Sequence, residues 1–143
     1  MVINFGKSAL LIVDLQNDFC PCGALGVEGG DEVIGPLNRL AALFASQGGL
    51  VIASQDWHPP GHASFASAQA KDSGGPALTS DQVFWPDHCV QGTGGADFHK
   101  GLDLRPVNLI IRKGFRPDLD SYSTFFENDR KTATGLDGFL KNH

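Results

Sequence analysis

The sequence has 143 residues, of which 41% are hydrophobic, and a formal net charge of -5 from 16 acidic and 11 basic residues. A chain of this length and apolar content predicts a single globular domain over residues 1–143. The basic residues are scattered, which argues against nucleic acid as a partner. No apolar run reaches the length of a membrane span and no secretory signal is recognisable, so we expect a cytoplasmic protein without a membrane partner.

The first predicted element is a buried parallel strand over residues 10–13, which Asp14 follows. These four consecutive apolar residues show neither the alternation of a half-exposed strand nor the spacing of a helix face. In open α/β sheets, ligands bind outside the carboxyl ends of the strands. Asp14 therefore occupies a position where chemistry is expected.

A helix and a second strand then complete a βαβ unit. Glycines and a proline predict a loop over residues 20–31, and apolar residues at helical spacing predict a crossover helix from Asp31 to the stop at Gly48-Gly49. Residues 50–54 form a second short apolar strand, which Gln55 and Asp56 follow. The predicted fold class is therefore α/β with a parallel sheet.

The rest of the chain is predicted to contain a long loop region, one strand and one helix. Residues 57–100 include two histidine clusters and little periodicity, and loops of this length in compact domains usually bind something. A third strand over residues 107–111 leads to Lys113. After a second polar loop, a last helix is predicted from Thr134, its N-cap, to Lys141.

All three predicted strands end close to a charged side chain: Asp14, Asp56 and Lys113, respectively. Parallel strands bring such ends together at one edge of the sheet. A carboxylate and an ammonium group that meet at a partly buried strand end keep each other ionised. Such a pair can orient and activate a nucleophile.

A second group of residues predicts a divalent metal site. Asp56 and His58 would point to one face of a strand that continues past residue 56, and His88 could join them. One carboxylate and two or three imidazoles suit Zn²⁺, with Fe²⁺ or Mn²⁺ as alternatives. His62 is either a further ligand or a histidine that only caps a loop.

Aromatic residues surround these two groups. Phe19 follows the first strand, Trp85 precedes His88, and Tyr122 lies in the loop after Lys113. Aromatic walls suit a flat apolar ring, and a metal ion or its water could meet a ring nitrogen. We therefore expect these three side chains to line a substrate pocket.

Four motifs resemble the bacterial nicotinamidase/pyrazinamidase family of isochorismatase-like cysteine hydrolases. In chain order they are Val-Asp-Leu-Gln-Asn-Asp-Phe-Cys at 13–20, Asp-Trp-His-Pro-Pro-Gly-His at 56–62, Trp-Pro-Asp-His-Cys-Val-Gln-Gly-Thr at 85–93 and Arg-Lys-Gly at 112–114. The resemblance covers essentially the whole chain. It implies the N-terminal part of a three-layer αβα domain with a parallel sheet.

The resemblance also implies an activity and residue roles. The activity is hydrolysis of nicotinamide, and of pyrazinamide as a related substrate, to the acid and ammonia in NAD salvage, through a Cys, Asp, Lys triad and a thioester. Carried over to this sequence, the roles are general base for Asp14, triad lysine for Lys113, ring pocket for Phe19, Trp85 and Tyr122, and ligands of a divalent metal, zinc first, for Asp56, His58, His88 and, less firmly, His62.

The sequence departs from this family in one respect. The family's nucleophilic cysteine and oxyanion hole lie on a fourth strand, after the helix that is predicted last here. Loss of a triad nucleophile costs about 10⁶ in kcat, so we expect the chain alone to be inactive. The first strand would also lack a neighbour. We therefore expect a complementing C-terminal segment or a homo-oligomer to cover it.

Cys20 and Cys89 are not expected to replace the nucleophile, because neither stands at a strand-to-helix turn that would lower its pKa. Three alternatives remain at this stage. One is a non-catalytic module that binds metal or nicotinamide, and another is a different isochorismatase-like amidase. The third is an iron oxygenase with two histidines and one carboxylate, whose usual all-β scaffold conflicts with the predicted βαβ unit.

Overall fold

The computed structural model describes residues 3–69 and 83–143. Its centre is a parallel sheet with the order β1-β2-β3, where β1 is Ala9–Ile12, β2 is Leu50–Asp56 and β3 is Leu109–Lys113. All strands run in the same direction, which confirms the predicted parallel α/β class. It also contradicts the all-β scaffold that the iron oxygenase alternative would need.

In the described part of the chain, three α-helices accompany the sheet: α1 is Ile34–Ser46, α2 is Ala66–Gln69 and α3 is Leu136–Lys141. α1 is the predicted crossover between β1 and β2, and it buries Ala41 and Phe44 against a core that includes Ile12 and Val51. Spacing of three to four residues places these side chains on one helix face. Over residues 3–69 and 83–143, no helix has the length and apolarity that crossing a bilayer requires.

The ends of several elements differ from the prediction. α1 begins three residues after Asp31, because residues 31–33 form a turn. β3 begins at Leu109 instead of residue 107, and just before it Asn108 donates its backbone N–H to the carbonyl of Val51 while its side-chain Oδ1 accepts the N–H of Val51. β2 and β3 both continue into polar residues, so that Asp56 stands opposite Lys113. Apolar runs alone understate these two strands.

Two further corrections concern the loops and the last helix. The N-cap of α3 is Gly135, with φ of 104°, and not Thr134. The Thr134 hydroxyl nevertheless accepts the N–H of Leu136 at 3.3 Å, so it stabilises the first turn from one position earlier. The predicted loop over residues 57–100 contains α2, and its residues 70–82 lie outside the described part of the chain.

β1 forms one edge of the sheet within the described ranges. Its backbone pairs with β2 from Ala9 to Ile12, and Val13, directly after it, is 55% exposed. An apolar strand edge is able to pair with another strand. The carboxyl end of this strand and the ends of its neighbours carry the candidate site.

Candidate active site and metal centre

The ends of the three strands bring Asp14, Asp56 and Lys113 into contact. Nζ of Lys113 lies 2.8 Å from Oδ2 of Asp14 and 3.1 Å from Oδ1 of Asp56. It also donates a hydrogen bond to the carbonyl oxygen of Ser121 at 2.9 Å. Lys113 is 3% exposed, so this is a buried cation between two carboxylates.

The electrostatics of this triangle favour the charged forms. Burial alone would lower the pKa of Lys113, but the carboxylates of Asp56 and Asp14 raise it above its usual range. Burial alone would raise the pKa of Asp56, but the adjacent rings of His58 and His88 and the charge of Lys113 hold it well below its usual range. The lysine and the carboxylate of Asp56 are therefore both ionised at neutral pH.

Ser54 fixes the geometry of Asp14, although sequence reasoning did not single it out. Asp14 adopts a left-handed backbone conformation with φ of 48°. The fully buried hydroxyl of Ser54 donates to Oδ1 of Asp14 at 2.6 Å and accepts its backbone N–H at 3.1 Å. Because Lys113 holds the other oxygen, both carboxylate oxygens have a fixed partner. The available signal was a serine directly after the apolar run over residues 50–53.

Asp56, His58 and His88 converge on one point. Oδ2 of Asp56 lies 3.1 Å from Nε2 of His58 and 3.5 Å from Nε2 of His88. Nδ1 of each ring lies within hydrogen-bond distance of a backbone carbonyl, that of Gly114 at 2.8 Å and that of Pro86 at 2.7 Å. We assign the ring proton to Nδ1 on this basis, which leaves the Nε2 lone pairs directed at the carboxylate.

This donor set fits a divalent metal ion. With the ring protons on Nδ1, the Nε2 lone pairs and the carboxylate oxygen repel one another unless a cation lies between them. Zinc ligands at 2.0 to 2.1 Å in tetrahedral geometry are roughly 3.3 Å apart, close to the spacings found here. Nζ of Lys113 holds Oδ1 of Asp56 at 3.1 Å, so the other oxygen, Oδ2, is the one that faces the two rings. Zinc-bound histidines usually donate their other ring N–H to a carbonyl or carboxylate, and both rings have such a carbonyl partner here.

His62 lies beside this group, and both of its ring nitrogens have protein partners. Its Nδ1 accepts the backbone N–H of Ser64 at 3.2 Å and lies 2.7 Å from the Ser64 hydroxyl, while Nε2 faces the carbonyl of Leu119 at 3.4 Å. Burial, followed by the nearby His58, lowers its pKa, so the ring is neutral. The ring centroids of His58 and His62 are 4.3 Å apart.

Asp120 is a further acidic residue at the centre that sequence reasoning missed. It is buried, its Oδ1 lies 3.9 Å from Nε2 of His58, and together with His58 and His62 it forms a second group that could hold a metal ion. Nothing in the local sequence indicates this position, because it depends on the path of the loop after β3. An ion at the first group could therefore have a further carboxylate within reach.

A cavity of about 250 Å³ opens onto the contact between Lys113 and Asp14 and onto the candidate metal ligands Asp56 and His88. The side chain of Trp85 donates from Nε1 to the hydroxyl of Tyr122 at 3.2 Å, and Phe19 contacts the ring of His88. The three aromatic residues predicted for the pocket all line the cavity, and Leu25, which was not predicted, does so as well. The lining residues are Asp14, Phe19, Leu25, Asp56, Trp85, His88, Lys113, Asp120, Ser121 and Tyr122.

The three cysteines lie outside the lining of this cavity. Cys89 is fully buried, and burial, with smaller contributions from nearby carboxylates, raises its pKa. Cys20 is buried and its pKa is raised as well, first by burial and then by Asp31. Cys22 is exposed. A nucleophilic thiol needs a lowered pKa at the reacting centre, and neither buried cysteine meets this condition.

Comparisons with known proteins bear on this arrangement. The sequence profile of the isochorismatase domain matches residues 8–142. The chain belongs to the isochorismatase family. The same match, together with the solved structures below, confirms the predicted isochorismatase-like fold.

Among the relatives of this isochorismatase-family chain, a nicotinamidase of Escherichia coli K12 is 48% identical over 137 residues, which cover 94% of the chain and 64% of the relative. A nicotinamidase/pyrazinamidase structure from Acinetobacter baumanii matches with a TM-score of 0.85 and 45% identity, covering 96% of the chain and 66% of that protein. The pyrazinamidase of Pyrococcus horikoshii in complex with zinc matches with a TM-score of 0.75 and 38% identity. The match covers 95% of the chain and 64% of that protein.

The isochorismatase-family chain thus spans less than two thirds of the length of each of these three proteins.

Proposed function

We propose that this chain carries the metal centre, the base and the substrate pocket of a nicotinamidase, which hydrolyses nicotinamide to nicotinate and ammonia. The observation that carries the proposal is the contact of one buried lysine, Lys113, with both Asp14 and Asp56 beside a cavity that three aromatic side chains line. The similarity to nicotinamidases and pyrazinamidases over most of the chain supports it. Pyrazinamide is the expected second substrate, and the role is in cytoplasmic NAD salvage.

In this proposal the carboxylate of Asp14 is the base that accepts a proton, and Lys113 holds that carboxylate in position. The attacking thiol loses its proton to the carboxylate of Asp14, which later returns a proton to the departing ammonia. Lys113 remains charged and pairs with both carboxylates of the site. Ser54 and Lys113 hold the two oxygens of Asp14, so the base needs no reorientation when substrate binds.

The pocket walls orient the substrate. The ring of nicotinamide would lie between Phe19, Trp85 and Tyr122, which excludes water from its faces. Asp56, His58 and His88 would hold the metal ion, with zinc favoured and Fe²⁺ or Mn²⁺ as alternatives. When bound, such an ion supplies a Lewis-acidic point that a ring nitrogen or a water molecule can meet. In this proposal His62 acts as an outer support, because its ring nitrogens already have protein partners.

The nucleophile in this proposal comes from outside these residues. The buried thiols of Cys20 and Cys89 have raised pKa values, and no cysteine lines the cavity in the described part of the chain. A complementing segment, on the same polypeptide or a partner, would supply the thiol and would also cover the edge of β1. The 143-residue chain alone is then a binding unit without turnover.

The test is ammonia release from nicotinamide, measured for the 143-residue chain and for the full coding sequence that contains it, with metal content assayed in parallel. We expect turnover only when a segment beyond these residues is present. Turnover by the chain itself would contradict the proposal that the nucleophile lies elsewhere. If the chain is the complete gene product and binds nicotinamide without turnover, the non-catalytic binding module is the better description.

A further inference from the structure

Gln16 lies where the backbone pairing between β1 and β2 ends. The parallel register of these strands stops at Ile12 and Ala53, and the chain turns away at Asp14, whose φ is 48°. β2 nevertheless continues to Asp56, with β3 along its other side. The backbone groups of Asp56 that face β1 therefore need a partner other than a strand, because buried N–H and C=O groups are almost always paired.

The side-chain amide of Gln16 supplies this partner. Its Oε1 accepts the N–H of Asp56 at 2.7 Å, and its Nε2 donates to the carbonyl oxygen of Asp56 at 2.8 Å. Nε2 also donates to the carbonyl oxygen of Ala96 at 2.8 Å, in the loop that follows His88. The side chain is 0% exposed. The side chain of Gln16 thus takes the place of a peptide unit of a neighbouring strand. It also connects the backbone of Asp56 to the loop that contains Ala96.

We propose that Gln16 is a positioning residue for the metal centre, which fixes the backbone of Asp56 so that its Oδ2 faces Nε2 of His58 and His88. The inference rests on the metal site of the proposed function and adds a residue that touches neither the ion nor the substrate cavity. Lys113 restrains the carboxylate of Asp56 from the β3 side, and Gln16 restrains its main chain from the β1 side. Loss of either restraint lets the carboxylate turn away from the histidines.

Gln55 offers a matched control. It is also buried, and its Nε2 donates to the same carbonyl oxygen of Ala96, at 2.9 Å. Its side chain makes no bond to the backbone of Asp56 and instead reaches Arg112 through Oε1. Replacement of Gln55 by methionine therefore removes a buried amide and the Ala96 bond without removing the restraint on Asp56.

The experiment is a titration of the 143-residue chain with Co²⁺, whose visible absorption bands report both occupancy and coordination geometry. We expect Gln16→Met to weaken Co²⁺ binding by about ten- to a hundredfold and to change the band intensity, as loss of an outer partner of a ligand does elsewhere. Gln55→Met is expected to bind Co²⁺ within about twofold of the parent chain. Thermal unfolding without metal shows whether the two variants are destabilised to the same extent.

Unchanged Co²⁺ affinity in Gln16→Met, or an equal loss in both methionine variants, would overturn the inference while leaving the metal site standing. If the parent chain binds no Co²⁺, the metal site of the proposed function fails and the role of Gln16 fails with it. Gln16→Glu is the second variant, for use if Gln16→Met lacks a cooperative unfolding transition. It keeps the size and an acceptor for the Asp56 N–H but cannot donate to the two carbonyls as a carboxylate, so the same weakening is expected.

Discussion

Nζ of Lys113, the last residue of β3, lies 2.8 Å from Oδ2 of Asp14, which follows β1 by two residues. The same nitrogen is 3.1 Å from Oδ1 of Asp56, the last residue of the strand between them. One buried charge therefore connects the proposed base with the proposed metal ligand. Because burial disfavours an isolated charge, Lys113 depends on the two carboxylates to remain ionised, and the carboxylate of Asp56 depends on Lys113.

Replacement of Lys113 by methionine is expected to leave the buried carboxylate of Asp56 and the partly buried carboxylate of Asp14 without a counter-charge. Loss of one partner from a buried ion pair costs about 3 to 5 kcal/mol, and this decrease should appear in the free energy of unfolding in urea at pH 7. Lys141→Met is the control, because its pair with Asp137 lies at the surface and should leave stability nearly unchanged. Similar unfolding curves for both variants would show that the contacts of Lys113 with Asp14 and Asp56 contribute little to stability.

Ser54→Ala removes both hydrogen bonds that hold Asp14 in its left-handed conformation. We expect a loss of about 1 to 3 kcal/mol in unfolding free energy, because a buried N–H and a carboxylate oxygen lose their partner. In whichever form of the protein shows the proposed nicotinamidase activity, kcat/KM should fall by roughly a hundredfold through displacement of the proposed base. Ser46→Ala, at the exposed end of α1, is the control. Wild-type kcat/KM in Ser54→Ala would rule out this positioning role.

The sequence allowed the contact among Asp14, Asp56 and Lys113 to be predicted, for a simple physical reason. Each strand is a short apolar run, and parallel strands expose their carboxyl ends at one edge. The proximity of the candidate metal ligands Asp56 and His58 follows from the same argument, since they lie at the end of β2. What these predictions needed was only the order and direction of the strands, which apolar runs and the crossover helix define.

Ser54, Gln16 and Asp120 could not be predicted in the same way. The contact of Ser54 with Asp14 depends on the register of β1 against β2 and on the left-handed turn after β1. The bonds of Gln16 depend on where that register ends, and the place of Asp120 depends on a loop without periodicity. These relationships lie between elements, so a pattern within one element does not indicate them.

Gly114→Ala should disrupt the metal centre through a direct clash. Gly114 has φ of 63°, and a Cβ there would lie 2.6 Å from Cε1 of His58 and 2.9 Å from Oδ1 of Asp56. Gly48→Ala is a matched control, because Gly48 has φ of 76° but open space around the added carbon. The backbone strain of about 1 to 2 kcal/mol is common to both variants. The unfolding temperature and the Co²⁺ affinity should therefore both decrease more in Gly114→Ala than in Gly48→Ala. Equal decreases would show that backbone strain alone is responsible.

The three thiols should differ in their reaction with iodoacetamide at pH 8. Burial raises the pKa of Cys89 and Cys20, so that the reactive thiolate is scarce and also enclosed. Cys22 is exposed and should be alkylated first, while the other two should react only after unfolding in guanidinium. Mass spectrometry of peptides at intermediate times would give the order. Fast labelling of Cys89 in the folded chain would contradict its exclusion as a nucleophile.

Zinc should stabilise the chain through the group formed by Asp56, His58 and His88. At a free Zn²⁺ concentration a hundred times Kd, binding to the folded state alone adds about 2.7 kcal/mol to the free energy of unfolding. His58→Ala should abolish this gain, because it removes the Nε2 that faces Oδ2 of Asp56 at 3.1 Å. His99→Ala should retain the gain, since Nδ1 of His99 accepts the N–H of Gly101, outside both candidate ligand groups. Differential scanning calorimetry with Zn²⁺ and with a chelator would measure both. Equal zinc-dependent shifts in the two variants would place the ion elsewhere on the chain.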